Sequence, residues 1–137
     1  MKRLYRDDVA FAYEDVGSGS QPFLFVHGWT CNHNFFAPQI EYFSRFHRVI
    51  AADLCGHGAS DAPQRQYTVP EFADDLAWFC GELGVERAVL VGHSMGGVQE
   101  MKVLLDEESW ADKKNSSNPK IDADEKLLMR FLRRKSA

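Results

Sequence analysis

The sequence is poor in cysteine and has no long apolar run. Its 137 residues include only three cysteines, Cys31, Cys55 and Cys80, and none of them forms a Cys-x-x-Cys pair. This odd count argues against a disulfide framework and a zinc site, and it favours reduced thiols. Because no apolar stretch follows the basic residues near the start, we expect neither a signal peptide nor a transmembrane helix. The sequence therefore predicts a cytoplasmic protein.

The chain also lacks an excess of positive charge and a metal-ligand pattern. Its formal net charge is -4 at pH 7, which gives no reason to expect nucleic acid or an anionic membrane as a partner. His33, His47 and His57 show no ligand spacing, so we interpret them as surface or loop residues and predict no metal and no cofactor. With 45% hydrophobic residues, the composition is that of one globular domain with a modest core.

A serine between two glycines follows a short apolar run. The segment Gly92–Gly96 has the sequence Gly-His-Ser-Met-Gly and comes directly after Ala88–Val91, a predicted buried strand. A tight turn from strand to helix leaves no room for side chains at Gly92 and Gly96, and it forces the serine between them into a strained, exposed conformation. The pattern predicts a nucleophile elbow with Ser94 at its tip.

Two other apolar runs end in motifs that contain glycine. Phe23–Val26 is typical of a buried parallel strand and leads into His27-Gly28-Trp29, where the glycine allows backbone N–H groups to point into a cleft. Residues 48–52 form a second predicted strand, and the glycine-rich turn Asp53–Ser60 follows it.

Helices and a hairpin are predicted around these strands. Apolar residues at helical spacing predict a helix over about residues 34–46 and another from Pro70 to Gly84. Alternation about Asp7-Asp8 predicts an antiparallel hairpin at the edge of the sheet. The alternation of strands and helices predicts a parallel, doubly wound sheet whose ligand cleft lies at the carboxyl ends of the strands.

The three motifs together resemble the α/β-hydrolase family, in the branch with a serine nucleophile. They are His-Gly-x after one strand, Asp-x-x-Gly-x-Gly-x-Ser after the next and Gly-x-Ser-x-Gly after the third, and the resemblance covers roughly Val9 to Val98. It implies the N-terminal part of an α/β-hydrolase domain over residues 1–105. The fold class expected is an incomplete α/β-hydrolase fold, a three-layer structure with a mostly parallel sheet and helices on both faces.

The resemblance assigns roles to individual residues. Ser94 is similar to the nucleophile that forms an acyl-enzyme, and the backbone N–H groups of Trp29 and Met95 correspond to the oxyanion hole. The remaining motif residues are expected to have structural roles at the site: His27, Gly28, Asp53, Gly92, His93 and Gly96. The implied function is hydrolysis of a carboxylic ester, lactone, thioester or amide. A serine in place of an aspartate argues against the haloalkane dehalogenase and epoxide hydrolase branches.

The rest of the family's catalytic triad has no counterpart here. In the family, an acidic residue and then a histidine follow the serine, whereas no histidine follows His93 in this sequence. We therefore expect a truncated product that is nearly inactive by itself. Two alternatives stay open, namely a non-catalytic binding or regulatory protein, and a split enzyme in which another chain supplies the acid and the histidine.

The last third of the chain does not match the family. Residues 106–120 are polar and predict a linker, and residues 121–137 carry an apolar stripe that predicts an amphipathic helical tail. The Ala88–Val91 strand would have no partner on one side. We expect that edge either to self-associate or to be covered by the segment from Ile121 to Leu132.

Overall fold

A computed structural model describes residues 1–85, 87–96 and 120–121 of the chain. Their centre is one six-stranded sheet with the strand order β1-β2-β4-β3-β5-β6. Strands β3, β4 and β5 are parallel to one another, whereas β1 and β2 are antiparallel to their neighbours. The strands are β1 (Lys2–Arg6), β2 (Val9–Val16), β3 (Phe23–Val26), β4 (Val49–Ala52), β5 (Arg87–Gly92) and β6 (Lys120–Ile121).

The predicted hairpin at the sheet edge is present. Arg6 pairs with Val9, which leaves a two-residue turn between β1 and β2. Both turn residues, Asp7 and Asp8, have a positive φ, of 47° and 65°. Positive φ at both positions matches the twist of the flanking strands, and aspartate tolerates this conformation better than most residues.

The first predicted helix is split and shorter than expected. A 3-10 helix covers His33–Phe36 and α1 covers Ala37–Phe43, where the sequence predicted one helix over about residues 34–46. The split follows from Pro38, which has no N–H to donate to the Asn34 carbonyl four residues earlier. That carbonyl accepts from Ala37 instead, in the 3-10 manner.

The second helix, α2, covers Val69–Glu82, close to the range from Pro70 to Gly84 that the sequence predicts. At its start the Glu71 carboxylate accepts hydrogen bonds from the N–H and the hydroxyl of Thr68, and Pro70 lies in the first turn, where a missing N–H costs nothing. At its end Gly84 has a φ of 63°, the left-handed conformation that closes many helices.

The two helices cover opposite faces of the sheet. Leu24, Val26, Ile50 and Leu90 pack with residues of α2, and the alternate strand residues Phe25, Val49, Ala51 and Val91 pack with Phe36 and with Ile40 of α1. The crossovers from β3 to β4 and from β4 to β5 run in opposite directions across the sheet, so right-handed connections place their helices on opposite faces. The result is the three-layer, mostly parallel α/β architecture that the sequence predicts.

The parallel strands end together at one edge of the sheet. Val26, the last residue of β3, lies opposite Ala52 of β4 and Gly92 of β5. The three glycine-containing motifs directly follow these residues, so the fold gathers them at the carboxyl ends of the strands. Open α/β sheets bind ligands at this edge.

The structure differs from the sequence prediction at the start of the tail. Lys120 and Ile121, assigned to the linker and to the tail helix, form strand β6, which pairs in parallel with Arg87 and Ala88. Backbone pairing to an open strand edge thus overrides the helical periodicity at Ile121. The predicted linker over 106–119, the helix over 122–137 and the helix expected after residue 96 lie outside the described residues. No helix in the described ranges is long and apolar enough to cross a membrane.

We predict that β6 limits self-association through β5. Within the described part of the chain, β5 beyond Ala88 has no partner on the side away from β3, and open strand edges pair readily with other chains. Deleting residues 119–137 should therefore give dimers or larger species in light scattering. Deleting residues 123–137, which keeps β6, is the matched control and should self-associate less. Equal masses for the two variants would contradict a protective role of β6.

Candidate active site

The turn after β5 holds Ser94 in a strained and exposed conformation. Ser94 has a φ of 55° and is exposed, and Met95 and Gly96 begin a helix directly after it. For a residue with a side chain, this left-handed conformation costs about 1 to 2 kcal/mol. Strain of this kind persists only where the surrounding structure enforces it. The geometry is the one the Gly-x-Ser-x-Gly pattern predicts.

Gly96 allows the helix after the serine to touch the end of β3. A Cβ atom at Gly96 would lie 2.4 Å from the Val26 carbonyl oxygen and 2.7 Å from that of His27. Both atoms belong to the backbone and cannot rotate away. The His93 N–H also donates to the Val26 carbonyl, at 3.0 Å. The turn therefore fits against β3 only with glycine at position 96.

The loop after β3 lies directly against the serine turn. A Cβ atom at Gly28 would be 3.0 Å from the His93 carbonyl oxygen and 3.1 Å from the Cβ atom of Ser94. Trp29 comes next, and its side chain is 52% exposed. The structure thus brings Gly28, Trp29, Ser94 and Met95 together at the carboxyl edge of the sheet.

The Trp29 N–H belongs to a tight turn with an unusual backbone. The Cys31 N–H donates to the Gly28 carbonyl at 3.2 Å, and Thr30 has a φ of 63°. Glycine normally occupies such a position, and a branched threonine is rare there. Within the described residues, neither the Trp29 N–H nor the Met95 N–H donates a hydrogen bond. Both are therefore available to an acceptor in the cleft.

His27 is fully buried and holds the loops after β3 and β4 together. Its Nε2 accepts from the Leu54 N–H at 3.0 Å, so its Nδ1 carries the hydrogen and donates to the Gly28 carbonyl at 2.8 Å. Both ring nitrogens are occupied. Burial, the largest cause, lowers the pKa of His27 below its ordinary value of 6.5, so the ring is neutral at pH 7.

Asp53 is the centre of the glycine-rich turn after β4. Its carboxylate is 1% exposed, accepts from the Ala59 N–H at 2.8 Å and contacts His33, while its carbonyl accepts from the Ser60 hydroxyl at 2.7 Å. A Cβ atom at Gly58 would lie 2.2 Å from the same carboxylate. A buried carboxylate is tolerated only with such a set of donors.

The expectation that His33 is a surface or loop residue is wrong. His33 is 3% exposed, and both its N–H and its Nδ1 contact Asp53 Oδ1, at 2.7 and 2.8 Å. Its Nε2 lies 3.8 Å from a Glu14 oxygen. No sequence signal links His33 to Asp53, because the contact joins the start of the 3-10 helix to the loop after β4, and α1 and β4 lie between them in the chain. Of the other two histidines, His47 is exposed and His57 is half-buried.

His93 does not contact Ser94 through its ring. The imidazole stacks on the half-exposed ring of Phe35, with 4.1 Å between the ring centres, and its buried Nδ1 has no partner among the described residues. In the same part of the chain, no histidine forms a hydrogen bond with Ser94. The site therefore supplies an exposed hydroxyl and two free N–H donors, without a base on the serine.

Neither Cys55 nor Cys80 is a reactive thiol at neutral pH. Burial raises the pKa of the Cys55 thiol, and it raises that of Cys80 to about 12, which keeps both protonated at pH 7. Cys31 is half-buried. The described residues contain no group of three or more histidine, cysteine or acidic side chains arranged to hold a metal ion.

The chain is similar to known proteins with an alpha/beta hydrolase fold. The sequence profile of that family matches residues 21–113. The AB hydrolase superfamily protein YisY of Bacillus subtilis is 38% identical over 99 residues, which are 72% of this chain and 37% of that protein. The bifunctional esterase/perhydrolase DCH of Acinetobacter calcoaceticus is 37% identical over 94 residues, covering 67% of this chain and 34% of the relative.

Solved structures show the same likeness. The structure of an N-acyl homoserine lactone degrading enzyme superposes with a TM-score of 0.71 at 35% identity, over 79% of this chain and 41% of that one. The chain therefore spans less than half the length of each of these three proteins.

We predict that a methyl group at Gly96 destabilises the fold more than one at Gly84. Gly96→Ala should lower the free energy of unfolding by about 3 kcal/mol, because the new Cβ meets two backbone carbonyls. Gly84→Ala meets no atom within 4 Å and adds only the left-handed penalty of about 1 kcal/mol. Urea denaturation of both variants measures the difference. Equal losses would show that the elbow can move away from β3.

A second prediction concerns pH and His27. Because its pKa is lowered in the folded state, the unfolded chain binds the proton more readily, and stability falls as pH drops below about 6.5. We expect His27→Gln to flatten the dependence of the unfolding free energy between pH 7 and pH 5. The exposed His47→Gln is the control and should keep the original slope. An unchanged slope in His27→Gln would refute the assignment.

Proposed function

This chain belongs to the α/β-hydrolase family, and from that premise we propose that Ser94 is the nucleophile of an acyl-transfer site. The substrate class is a carboxylic ester, lactone, thioester or amide. The backbone N–H groups of Trp29 and Met95 form the oxyanion hole. His27, Gly28, Asp53, Gly92, His93 and Gly96 hold this arrangement without touching the reacting atoms.

One observation carries the proposal. Ser94 is exposed, has a positive φ and is followed directly by the helical residues Met95 and Gly96. It lies against the loop that contains Trp29, whose backbone N–H has no acceptor within the described residues. A structural serine needs neither the strain nor the exposure, and strained residues cluster at functional sites. These features support attack on a carbonyl group.

The proposed chemistry follows from these positions. The Ser94 oxygen bonds to the carbonyl carbon, its proton passes to a base, and the carbonyl oxygen becomes negative. When the carbonyl forms again, the bond to the leaving group breaks, the leaving group takes that proton, and an acyl-enzyme remains. Water then cleaves the bond between the acyl group and Ser94, which releases the acid and restores the hydroxyl. The Trp29 and Met95 N–H groups stabilise the negative oxygen. One such donor typically contributes about 3 to 4 kcal/mol to the transition state, because the charge develops only during attack.

The proton on Ser94 has no acceptor among the histidines the structure describes. His27 uses both ring nitrogens, Nδ1 of His33 contacts Asp53, and Nδ1 of His57 contacts the Cys55 carbonyl. A serine hydroxyl without a base is a poor nucleophile, and loss of the histidine costs serine hydrolases about a million-fold in turnover. We therefore propose that this chain by itself is nearly inactive, in agreement with its lack of any histidine after His93.

A split enzyme is the second candidate, and it is favoured by the part of the β5 edge that has no partner within the described residues. A second chain that adds strands beside β5 would bring further residues to the carboxyl edge, where an acid and a histidine could reach Ser94. The split enzyme and the inactive chain make different predictions, because only the former gains a base when a partner binds.

Labelling with a fluorophosphonate tests the nucleophile. We expect slow modification of the peptide that contains Ser94, detected by mass spectrometry, and faster modification when imidazole is added as an external base. Ser94→Ala should abolish the labelling, and the exposed Ser18→Ala should leave it unchanged. Hydrolysis of an activated aryl ester should stay close to background.

Each contrary result removes a different part of the proposal. Labelling that persists in Ser94→Ala, or none after long exposure with imidazole, would reject Ser94 as the nucleophile. Rapid ester hydrolysis that Ser94→Ala abolishes would keep the nucleophile and reject the inactivity. That result would mean that His27, His33, His57 or His93 can act as the base.

A further inference from the structure

We propose that His33 is a positioning residue that fixes the direction of the Trp29 N–H. The inference rests on the proposed function, because it concerns the oxyanion hole, but its evidence lies in the loop itself. His33 lies four residues beyond Trp29, is buried, and is bound to a side chain from another loop.

The turn that carries the Trp29 N–H needs outside support. It runs from Gly28 to Cys31, closed by one backbone hydrogen bond of 3.2 Å, and Thr30 takes the positive φ that normally requires glycine. A rotation of the peptide between Trp29 and Thr30 would return Thr30 to a negative φ, and it would relieve the strain. The Trp29 N–H belongs to the preceding peptide, whose Gly28 carbonyl accepts from the Cys31 N–H at 3.2 Å and from His27 Nδ1 at 2.8 Å. The direction of the Trp29 N–H therefore depends on Cys31 staying in place. The observed form therefore depends on contacts at both ends of the turn.

Two buried histidines supply those contacts. His27, before the turn, accepts from the Leu54 N–H, and His33, after the turn, binds the Asp53 carboxylate through its Nδ1. Asp53 and Leu54 are adjacent residues directly after β4, so both ends of the turn are bonded to the same short backbone segment. The Asp53 carboxylate is itself fixed by the Ala59 N–H. The turn is thus held on both sides, by His27 before it and by His33 after it. The His27-Gly28-Trp29 motif includes only the first of these two residues.

Two groups of His33 contact Asp53 Oδ1, the backbone N–H at 2.7 Å and Nδ1 at 2.8 Å, and only the second contact depends on the side chain. Nδ1 is 2.8 Å from Asp53 Oδ1, whereas Nε2 is 3.8 Å from a Glu14 oxygen, beyond hydrogen-bond distance. An asparagine at position 33 would place an amide N–H near the position of Nδ1. A glutamine would place its amide nearer to Nε2. Comparing His33→Asn with His33→Gln therefore tests the contact at the Nδ1 position, because both variants carry a polar amide side chain.

Selective labelling of tryptophan with ¹⁵N provides the test. The chain has three tryptophans, Trp29, Trp78 and Trp110, and Trp29→Phe identifies the Trp29 backbone amide peak by its loss. We expect His33→Gln to move that peak by more than its linewidth, or to broaden it beyond detection. His33→Asn should leave it in place. The exposed His47→Gln is the control and should move neither the Trp29 peak nor the Trp78 peak.

The Trp78 peak, which reports on α2, shows whether a variant is folded. Loss of both peaks in His33→Gln with both retained in His33→Asn would also support the Nδ1 contact. An unmoved Trp29 peak in His33→Gln, or an equal effect of the two substitutions, would overturn the inference. None of these readouts uses Ser94, so the inference can fail while fluorophosphonate labelling succeeds, and the reverse.

Discussion

The contact between the helix start at Gly96 and the end of β3 is the constraint on which the site depends. The Val26 and His27 carbonyls lie where a Cβ atom at Gly96 would be. The backbone at Gly96 therefore packs directly on the backbone at the end of β3, with no side chain between them. That closeness puts Ser94 beside Gly28 and forces its positive φ. Because the Trp29 and Ser94 turns follow neighbouring strands, residues adjacent in the sheet position both the proposed nucleophile and the proposed oxyanion donor.

The second requirement is a rigid point from which the loops can be held. Asp53 and Leu54 provide it, since they follow β4 directly. Asp53 accepts from His33, and the Leu54 N–H donates to His27, so both histidines that flank the Trp29 turn are held. A buried carboxylate alone would be destabilising, because desolvation penalises its charge. Here its donors come from the start of the 3-10 helix and from the glycine-rich turn, so the interactions that stabilise the charge also hold the segments after β3 and β4 together.

Sequence reasoning predicted the parts of this arrangement that depend on local pattern. The strands β3, β4 and β5, the hairpin and α2 follow from apolar runs, alternation and capping residues, and the elbow follows from glycine spacing. It was wrong where a long-range contact decides the structure. His33 has no periodic signal because its partner Asp53 belongs to another loop, and Ile121 has a helical pattern that strand pairing to Ala88 overrides. The strain at Thr30 was also missed, because a branched residue gives no hint of a positive φ.

In the proposed site, the backbone N–H donors and the base are positioned in different ways. The serine and the N–H donors must be preorganised to within fractions of an ångström, since a donor contributes to the transition state only if it costs no reorganisation. Backbone groups at the ends of neighbouring parallel strands meet that requirement through the sheet itself. In the proposed mechanism a base must also come within about 2.6 to 3.2 Å of the Ser94 hydroxyl, but it does so with a side chain and not with a backbone group. Under the proposed function, the ends of the parallel strands therefore position Ser94 and the two N–H donors, whereas no histidine among the described residues is hydrogen-bonded to Ser94.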